Sequence, residues 1–521
     1  MKIPSNHPFT TLFRIALILF CGTSQIPAQS IQFVRSYGND PYDYCIDLQL
    51  RHDNGYLMCG ATHFSHSNWG MYLLNTDANG DFLWAKAYGG LGNESAQRVR
   101  ELPNGELLIV GQTQDTNSLN SDILVVKLDA QGDVLWSKSY GTTEDDYSLD
   151  MALTNDGGAV ISGYTYSYTP DMQAFIIRID SLGNVVWAST FGNTWDRIAY
   201  GITPTSDGGF LASAWELTFG RFNLLKLNAN GQLLWTKTRE EGGATNLIET
   251  ADHGIIFGGQ TYLQDPLQQY HIFATKTDSL GNRIWTNRYR FPLPPHAVDL
   301  WPTMAGGIAM LANVPTVDNS LQSVLIEIDG NGNLIHSRQY GGSASDSPYG
   351  MVQAPDSGFA MLLGSNSFGA LRTILLKSDP IGEVGCIDST IAMTVESLVI
   401  PEYNESITYS MQTVMVSTPN LQQFSDLNAG AIFCTNVSAN EPVHDKTRVY
   451  PNPSNGSFKM DFPISKGELT IINQNGQVIL QRSIDSKTLD LDLDVPSGIY
   501  RYTLQNDEGK TQHGNIAILM H

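Results

Sequence analysis

Tryptophans stand at Trp84, Trp136, Trp187, Trp235 and Trp285, spaced 52, 51, 48 and 50 residues apart. A spacing this even marks one supersecondary unit copied along the chain, and a copied unit must bury its apolar faces against its own neighbours. His336 holds the next equivalent place and Phe33 the preceding one. A Tyr-Gly or Phe-Gly pair follows in most copies: Tyr37-Gly38, Tyr88-Gly89, Tyr140-Gly141, Phe191-Gly192 and Tyr340-Gly341. Each copy also carries two turns. One is of the kind Asn104-Gly105 or Asp156-Gly157-Gly158; the other is of the kind Asp77-Ala78-Asn79-Gly80 or Asp329-Gly330-Asn331-Gly332. Glycine supplies the positive φ that tight hairpins demand.

Between the turns run β-rich segments such as Phe175-Ile176-Ile177-Arg178-Ile179. Four strands per repeat at a period near 50 indicate a propeller blade. Three-strand groups recur seven times between Tyr44 and Lys377, and six of them are followed by the aromatic-bearing fourth strand. The seventh lacks it. The missing strand stands at the other end of the chain as Gln32-Phe33-Val34-Arg35-Ser36, so the N-terminal strand is expected to complete the seventh blade and close the ring. Closure removes the open sheet edges that would otherwise recruit other chains. The expected fold is all-β: a seven-bladed β-propeller over 29–385, a β-rich connector over 386–440, and a small β-sandwich over 441–521.

Residues 1–28 read as a signal peptide. Lys2 and Arg14 precede the apolar run Ile15–Phe20, and Ala28 is a plausible cleavage position. The run is short for a membrane span, and no later segment is longer, so the mature chain is expected to have no transmembrane segment. Acidic residues outnumber basic ones 52 to 30, for a net charge of −22. That field repels a phosphate backbone, which argues against nucleic acid as a partner. Export to an oxidising compartment leaves Cys45, Cys59, Cys386 and Cys434 as disulfide candidates, favoured in the pairings Cys386–Cys434 and Cys45–Cys59.

The chain changes character from Val449. Tyr450-Pro451-Asn452-Pro453, Gly456 and Phe458 open a section that continues through Leu469–Asn473 to Pro496-Ser497-Gly498-Ile499-Tyr500 and ends on Ile516–Leu519. Alternating apolar runs with glycine turns imply an antiparallel, Ig-like sandwich. Its expected core includes Phe458, Leu469, Ile471, Val478, Leu480, Leu491, Leu493, Ile499, Tyr502 and Ile518. The order and spacing resemble the type A C-terminal sorting domain of the type IX secretion system of Bacteroidetes. The resemblance implies passage through the periplasm, recognition by the secretion machinery, and delivery to the outer cell surface or the medium. It assigns the sorting motif to Tyr450, Pro451, Asn452, Pro453, Gly456, Gly498 and Tyr500.

Chemistry is harder to place. Asp77-Ala78-Asn79-Gly80-Asp81 has oxygen ligands at alternate positions, but a copy without carboxylates, Asn228-Ala229-Asn230-Gly231-Gln232, points to a turn rather than a calcium loop. Asp43, Glu94, Asp146, Asp196 and Asp346 recur after the blade aromatic, and they read as turn residues that accept backbone N–H bonds or, alternatively, as a carboxylate ring. No nucleophile elbow, metalloprotease helix or phosphate loop occurs, so no catalytic residue, metal or cofactor is assigned. The connections between the second and third strands vary and carry aromatics: Phe64, Trp69, Tyr166, Tyr168, Trp215 and Tyr262. Variable loops on a rigid scaffold concentrate binding, and exposed rings suit sugar faces or protein hot spots. The reading is a non-catalytic surface protein that binds a glycan or a protein. The alternatives are a polysaccharide hydrolase or lyase on the same scaffold and a structural surface-layer component.

Overall fold

The computed structural model describes residues 31–518 except 39–42, 64–67, 91, 115–119, 170, 193–194, 241, 262–268, 368–371, 386, 399–401, 404–406, 420, 426–431, 438–447, 451–456, 462–465, 474–476, 487, 494, 497 and 507–510. The described chain is all-β and propeller-like, with seven five-stranded antiparallel sheets. In sheet one the strands are Tyr44–Leu50 (innermost), Tyr56–His63, Trp69–Thr76 and Phe82–Gly89. Sheets two to six repeat this order. Sheet seven takes its first three strands from Asp346–Gln353, Phe359–Ser365 and Arg372–Lys377, and its fourth from Ile31–Tyr37, with Phe33 opposite Lys377 and Tyr37 opposite Thr373. Each innermost strand packs on the next, and that of sheet seven packs on that of sheet one. The cores lie between sheets: Phe33, Tyr56, Leu74 and Leu375, for example, fill one wedge.

The recurrent tyrosine of the fourth strand ties neighbouring sheets together. The tyrosine hydroxyl of one sheet's fourth strand donates to the glycine carbonyl in the outer turn of the next sheet. Tyr37 reaches Gly80 at 2.5 Å, Tyr88 reaches Gly132 at 2.7 Å, Tyr140 Gly183 at 2.7 Å, Tyr289 Gly332 at 2.9 Å and Tyr340 Gly382 at 2.7 Å. Where phenylalanine stands at 191, Ser189 reaches Gly231 at 3.4 Å instead, and Arg239 donates to Gly281. All seven sheet-to-sheet steps thus carry the bond. Gly132 also shows why the turn residue is glycine: its φ is +82°, and a Cβ there would meet the Trp84 ring at 2.8 Å. The aspartate that opens this turn is spent on the backbone. Asp77 Oδ1 accepts from the N–H groups of Asn79 and Asp81, and Asp329 Oδ1 from Asn331 and Asn333.

The connector, which the sequence leaves without a pattern, is the fifth strand of every sheet. Asp388–Thr390 pairs on sheet six, Thr394–Ser397 on five, Glu402–Tyr403 on four, Thr408–Met411 on three, Met415–Ser417 on two, Gln422–Ser425 on one and Ile432–Val437 on seven. It runs backwards round the ring as a belt. The last of these strands covers Ile31–Tyr37, which therefore lies between two partners rather than at an edge. Belt strands protect part of each outer edge from pairing with other chains.

Cys45 and Cys59 are free, buried thiols, contrary to the expected bridge. Cys45 lies opposite Gly60 in the ladder, and directly opposed residues share a face, so Cys59 beside Gly60 points the other way. Cys45 packs into the wedge toward sheet seven and Cys59 into the wedge toward sheet two. Burial pushes both thiols well up from the usual range. Cys434 lies opposite Val34, while Cys386 falls outside the described residues.

The tail forms two sheets. One joins Arg448–Tyr450, Ser457–Asp461 and Thr488–Asp492; the other joins Val478–Ile484, Gly467–Ile472, Gly498–Asn506 and Thr511–Ile518. A single core of Phe458, Leu469, Ile471, Leu491, Tyr502 and Ile518 lies in common to both. Val478, expected inside, is exposed, because the register slips between Ile471 and Ile472 where it pairs. Tyr500 is buried and donates its hydroxyl to the Pro496 carbonyl at 2.7 Å. Of the other sorting-motif residues, Tyr450 and Gly498 lie in strands, and Pro451, Asn452, Pro453 and Gly456 are outside the described residues.

Candidate functional site

At the end of each sheet where the second strand stops and the third begins, the first strand also starts. Short uniform turns close the opposite end, so side chains free to differ gather here. In sheet three this end holds an open groove of about 730 Å³, lined by Glu144, Asp145, Tyr147, Tyr164, Tyr166 and Tyr168 among others. Tyr147 and Tyr164 are ladder partners, so they share a face and their rings stack at 4.9 Å with 26° between planes. Tyr166 meets Tyr164 edge-on at 6.1 Å, and its backbone N–H donates to the Asp145 carbonyl at 3.0 Å, which fixes the loop. Tyr168 is held from outside the repeat: its hydroxyl donates to the Thr413 carbonyl of the belt at 3.1 Å. The next sheet extends the aromatic surface. Trp215 lies 6.1 Å from Tyr200, and exposed Trp195 and Phe219 meet edge-on at 5.1 Å.

The six aromatic candidates divide three ways. Tyr166, Tyr168 and Trp215 fall on neighbouring sheets three and four. Trp69 stands apart in a hollow of about 220 Å³ with Tyr44 and Glu94, its ring against His63 at 3.9 Å. Phe64 and Tyr262 lie outside the described residues. Sequence reading missed Tyr147, which sits on an innermost strand rather than in a variable loop; its signal was only its place beside Asp146.

The recurrent carboxylates serve the scaffold. Glu94 Oε2 accepts the Gly90 N–H at 3.0 Å, Asp146 Oδ2 that of Thr142 at 3.0 Å, and Asp346 Oδ2 that of Gly342 at 2.8 Å. Thr62 donates to Asp43 Oδ1 at 2.5 Å from the adjacent strand. Burial raises the Glu94, Asp146 and Asp346 carboxyls, and the donors partly offset it. Asp196 is not in this register. Arg197 is, and its strand partner is Glu216, where Glu94, Asp146 and Asp346 face Thr113, Thr165 and Ser365. The two form a fully buried ion pair at 3.3 Å.

A second set lies deeper. Every innermost strand slips register at the same point, and the residue after the slip is Asp47, Arg98, Asp150, Gly201, Asn246, Asp299 or Gly350. A bulge re-aims a side chain and interrupts the ladder. Here the carboxylates bind the next sheet: Asp47 accepts the Val99 N–H at 2.8 Å, Asp150 that of Ile202 at 3.1 Å and Asp299 that of Met351 at 3.0 Å. Arg98 and Arg100 pair with Asp150 and Asp47 at 3.1 and 2.8 Å. Among the described residues Asp299 has no such close partner, and burial pushes its carboxyl up to about 6 against the N–H bonds and the more distant Arg98. Among the described residues no group of three or more His, Cys, Asp or Glu is placed to hold a metal ion, and no helix is long and apolar enough to cross a membrane.

Comparison with known proteins places the tail. Residues 448–517 match the family model described as "Secretion system C-terminal sorting domain". No curated protein sequence matches the chain. Among solved structures, similarity extends to PorZ of Porphyromonas gingivalis, a bacterial surface component of the type IX secretion system, at 8% identity over 94% of this chain and 100% of that one, with a TM-score of 0.21. A DUF4623 family protein from Bacteroides eggerthii aligns at 10% identity over 62% of this chain and 86% of its own, with a TM-score of 0.27. At those scores the overlays carry no argument about this chain. The sorting-domain match does, since it falls on the segment where the motifs and the separate core occur: residues 448–517 are a type IX C-terminal sorting domain, and it addresses the chain to the outer cell surface or the medium.

Proposed function

We propose that the exported chain is a non-catalytic glycan-binding protein, built as a closed seven-bladed β-propeller over 29–385 with an Ig-like sorting domain over 441–521. The belt over 386–440 belongs physically to the propeller. The observation that carries the binding reading is the tyrosine groove of sheet three. Its rings are locked by a ladder pair, a backbone bond and the belt, so little side-chain freedom is lost when a ligand stacks on them. Sugar rings present apolar C–H faces to aromatic rings and hydroxyls to surrounding polar groups, and the groove offers both. The test is a glycan-array screen of the mature chain, followed by calorimetry of the hits with wild type and Tyr164→Ala. Binding of a saccharide family that Tyr164→Ala weakens at least tenfold supports the reading. An array without hits, or hits indifferent to Tyr164 and Tyr166, overturns it.

A further inference from the structure

The same groove has a charge as well as a shape. Two carboxylates, Glu144 and Asp145, stand in its lining with four tyrosines, and the lining contains no lysine, arginine or histidine. Two nearby aspartates, Asp145 and Asp196, act on the tyrosines with the same sign. Burial is the first cause that raises the Tyr164 hydroxyl, to about 12, and of the neighbours that add to it only Asp145 is charged at neutral pH. For Tyr166 burial again comes first, followed by Asp196, Tyr147 and Asp145. Elsewhere on this chain, an exposed aromatic in the same region is already covered by a cation: Arg221 lies 4.8 Å over the Phe219 ring. The tyrosine groove has no cation of its own over its rings among its lining residues.

A tyrosine face carries negative quadrupolar potential and attracts a cation within about 6 Å of the ring centre. Tyr147 and Tyr164 present parallel rings, and Tyr166 stands at 85° to Tyr164, so two sides of a corner are aromatic. Glu144 is exposed, and among the described residues its carboxylate has no bonding partner, whereas Asp145 uses Oδ1 for the Ser121 N–H at 2.8 Å. A neutral sugar uses the rings and leaves this charge uncompensated. An anionic sugar, a uronic or sialic acid, is repelled by it.

We infer that the groove takes an amino sugar with a free ammonium group, a glucosamine-type unit within a glycan, with the sugar ring on Tyr164 and the ammonium between the tyrosine faces and Glu144. This rests on the glycan-binding reading and specifies its ligand. The discriminating experiment titrates the mature chain with glucosamine oligomers, N-acetylglucosamine oligomers of equal length, and an oligolysine peptide of equal charge. The expected result is at least tenfold tighter binding of the glucosamine oligomer than of either control, weakened severalfold between 50 mM and 500 mM salt. Glu144→Gln should remove most of that tenfold preference, bringing the two sugar oligomers to within about threefold of each other. Tyr166→Ala should weaken both sugars. Equal binding of the two sugar oligomers overturns the ammonium site but leaves glycan binding standing. Oligolysine bound as tightly as the glucosamine oligomer, with the same dependence on Glu144, makes the site a protein-ligand site and overturns the inference. Binding of none of the three overturns the amino-sugar inference, and the array then decides the glycan-binding reading by itself.

Discussion

Asp299 offers the sharpest test of how the innermost strands are held. Its carboxyl titrates at about 6 in the folded chain against an ordinary value of 3.8. The folded state therefore holds the proton more tightly than the unfolded state does. Below pH 4 both states are protonated and no penalty exists. Between pH 4 and 6 the unfolded chain releases its proton first, and folding stability falls as pH rises; above 6 the penalty is constant. A difference near two pH units corresponds to roughly 3 kcal/mol. Asp299 is half-buried rather than sealed, so water on its open side makes that an upper bound. Asn at 299 retains an oxygen for the Met351 N–H but cannot ionise. The relevant quantity is the stability difference between Asp299→Asn and wild type, measured by guanidinium unfolding at pH 4, 5, 6 and 7.5. All nine tryptophans precede the belt, so their fluorescence reports the propeller and not the tail. The variant should gain on wild type by about 1–3 kcal/mol between pH 4 and 7.5, with most of the gain below pH 6.5. A flat difference would refute the desolvated placement. A variant that loses ground as pH rises would show Asp299 held as an anion by Arg98.

Other outcomes follow from single contacts. Tyr140→Phe removes the hydroxyl that reaches Gly183 and leaves that carbonyl unpaired, which should cost about 1–2 kcal/mol in guanidinium unfolding. Phe33→Ala empties a site 1% exposed, edge-on to Tyr56, and should cost about 3–5 kcal/mol by the same assay; deleting 31–38 should cause aggregation by opening sheet seven. Cys45 and Cys59 should resist alkylation in the native protein and react once it is unfolded, by intact-mass measurement. In the same measurement, Cys386 and Cys434 are expected to resist alkylation until reduced. Ile387 packs in one cluster with Val34, whose ladder partner is Cys434, and the bond would close the belt into a covalent loop.

The propeller-like repeat was legible because its signal is a side chain that returns every 50 residues to the same turn of the next sheet. Trp84 on Gly132 is one such contact, and the period shows it directly. What the period could not show was the partner of a hydroxyl, so the Tyr-Gly pair was visible and its bond was not. The belt was illegible for a different reason. Its strands are short, from Glu402–Tyr403 to Ile432–Val437, and they are held by backbone pairing on one edge, which imposes little side-chain alternation. The thiol error came from reading two neighbouring strands without their register, since one residue decides the face. At the site, loop aromatics announced Tyr166, Tyr168 and Trp215, whereas Tyr147 needed its ladder pairing with Tyr164 to join them.

The order of the last elements ties folding to address. Ile31–Tyr37 needs Arg372–Lys377 on one side and Ile432–Val437 on the other, partners more than 300 residues away. Such contacts reward the chain only after a large loop has closed, so the ring cannot be clasped until nearly all of it is present. The sorting domain at 448–517 begins ten residues beyond the clasp. Two truncations separate the roles. Ending the chain at 440 should leave the propeller with native unfolding behaviour but strand it in the periplasm. Ending it at 385 should remove all seven belt strands, including the one that covers the edge of Ile31–Tyr37, and the product should aggregate or be degraded. Cell fractionation and limited proteolysis read both. A chain ending at 440 that still reaches the surface at wild-type level would refute the role of the tail. A chain ending at 385 that resists protease as well as the longer one would refute the role of the belt.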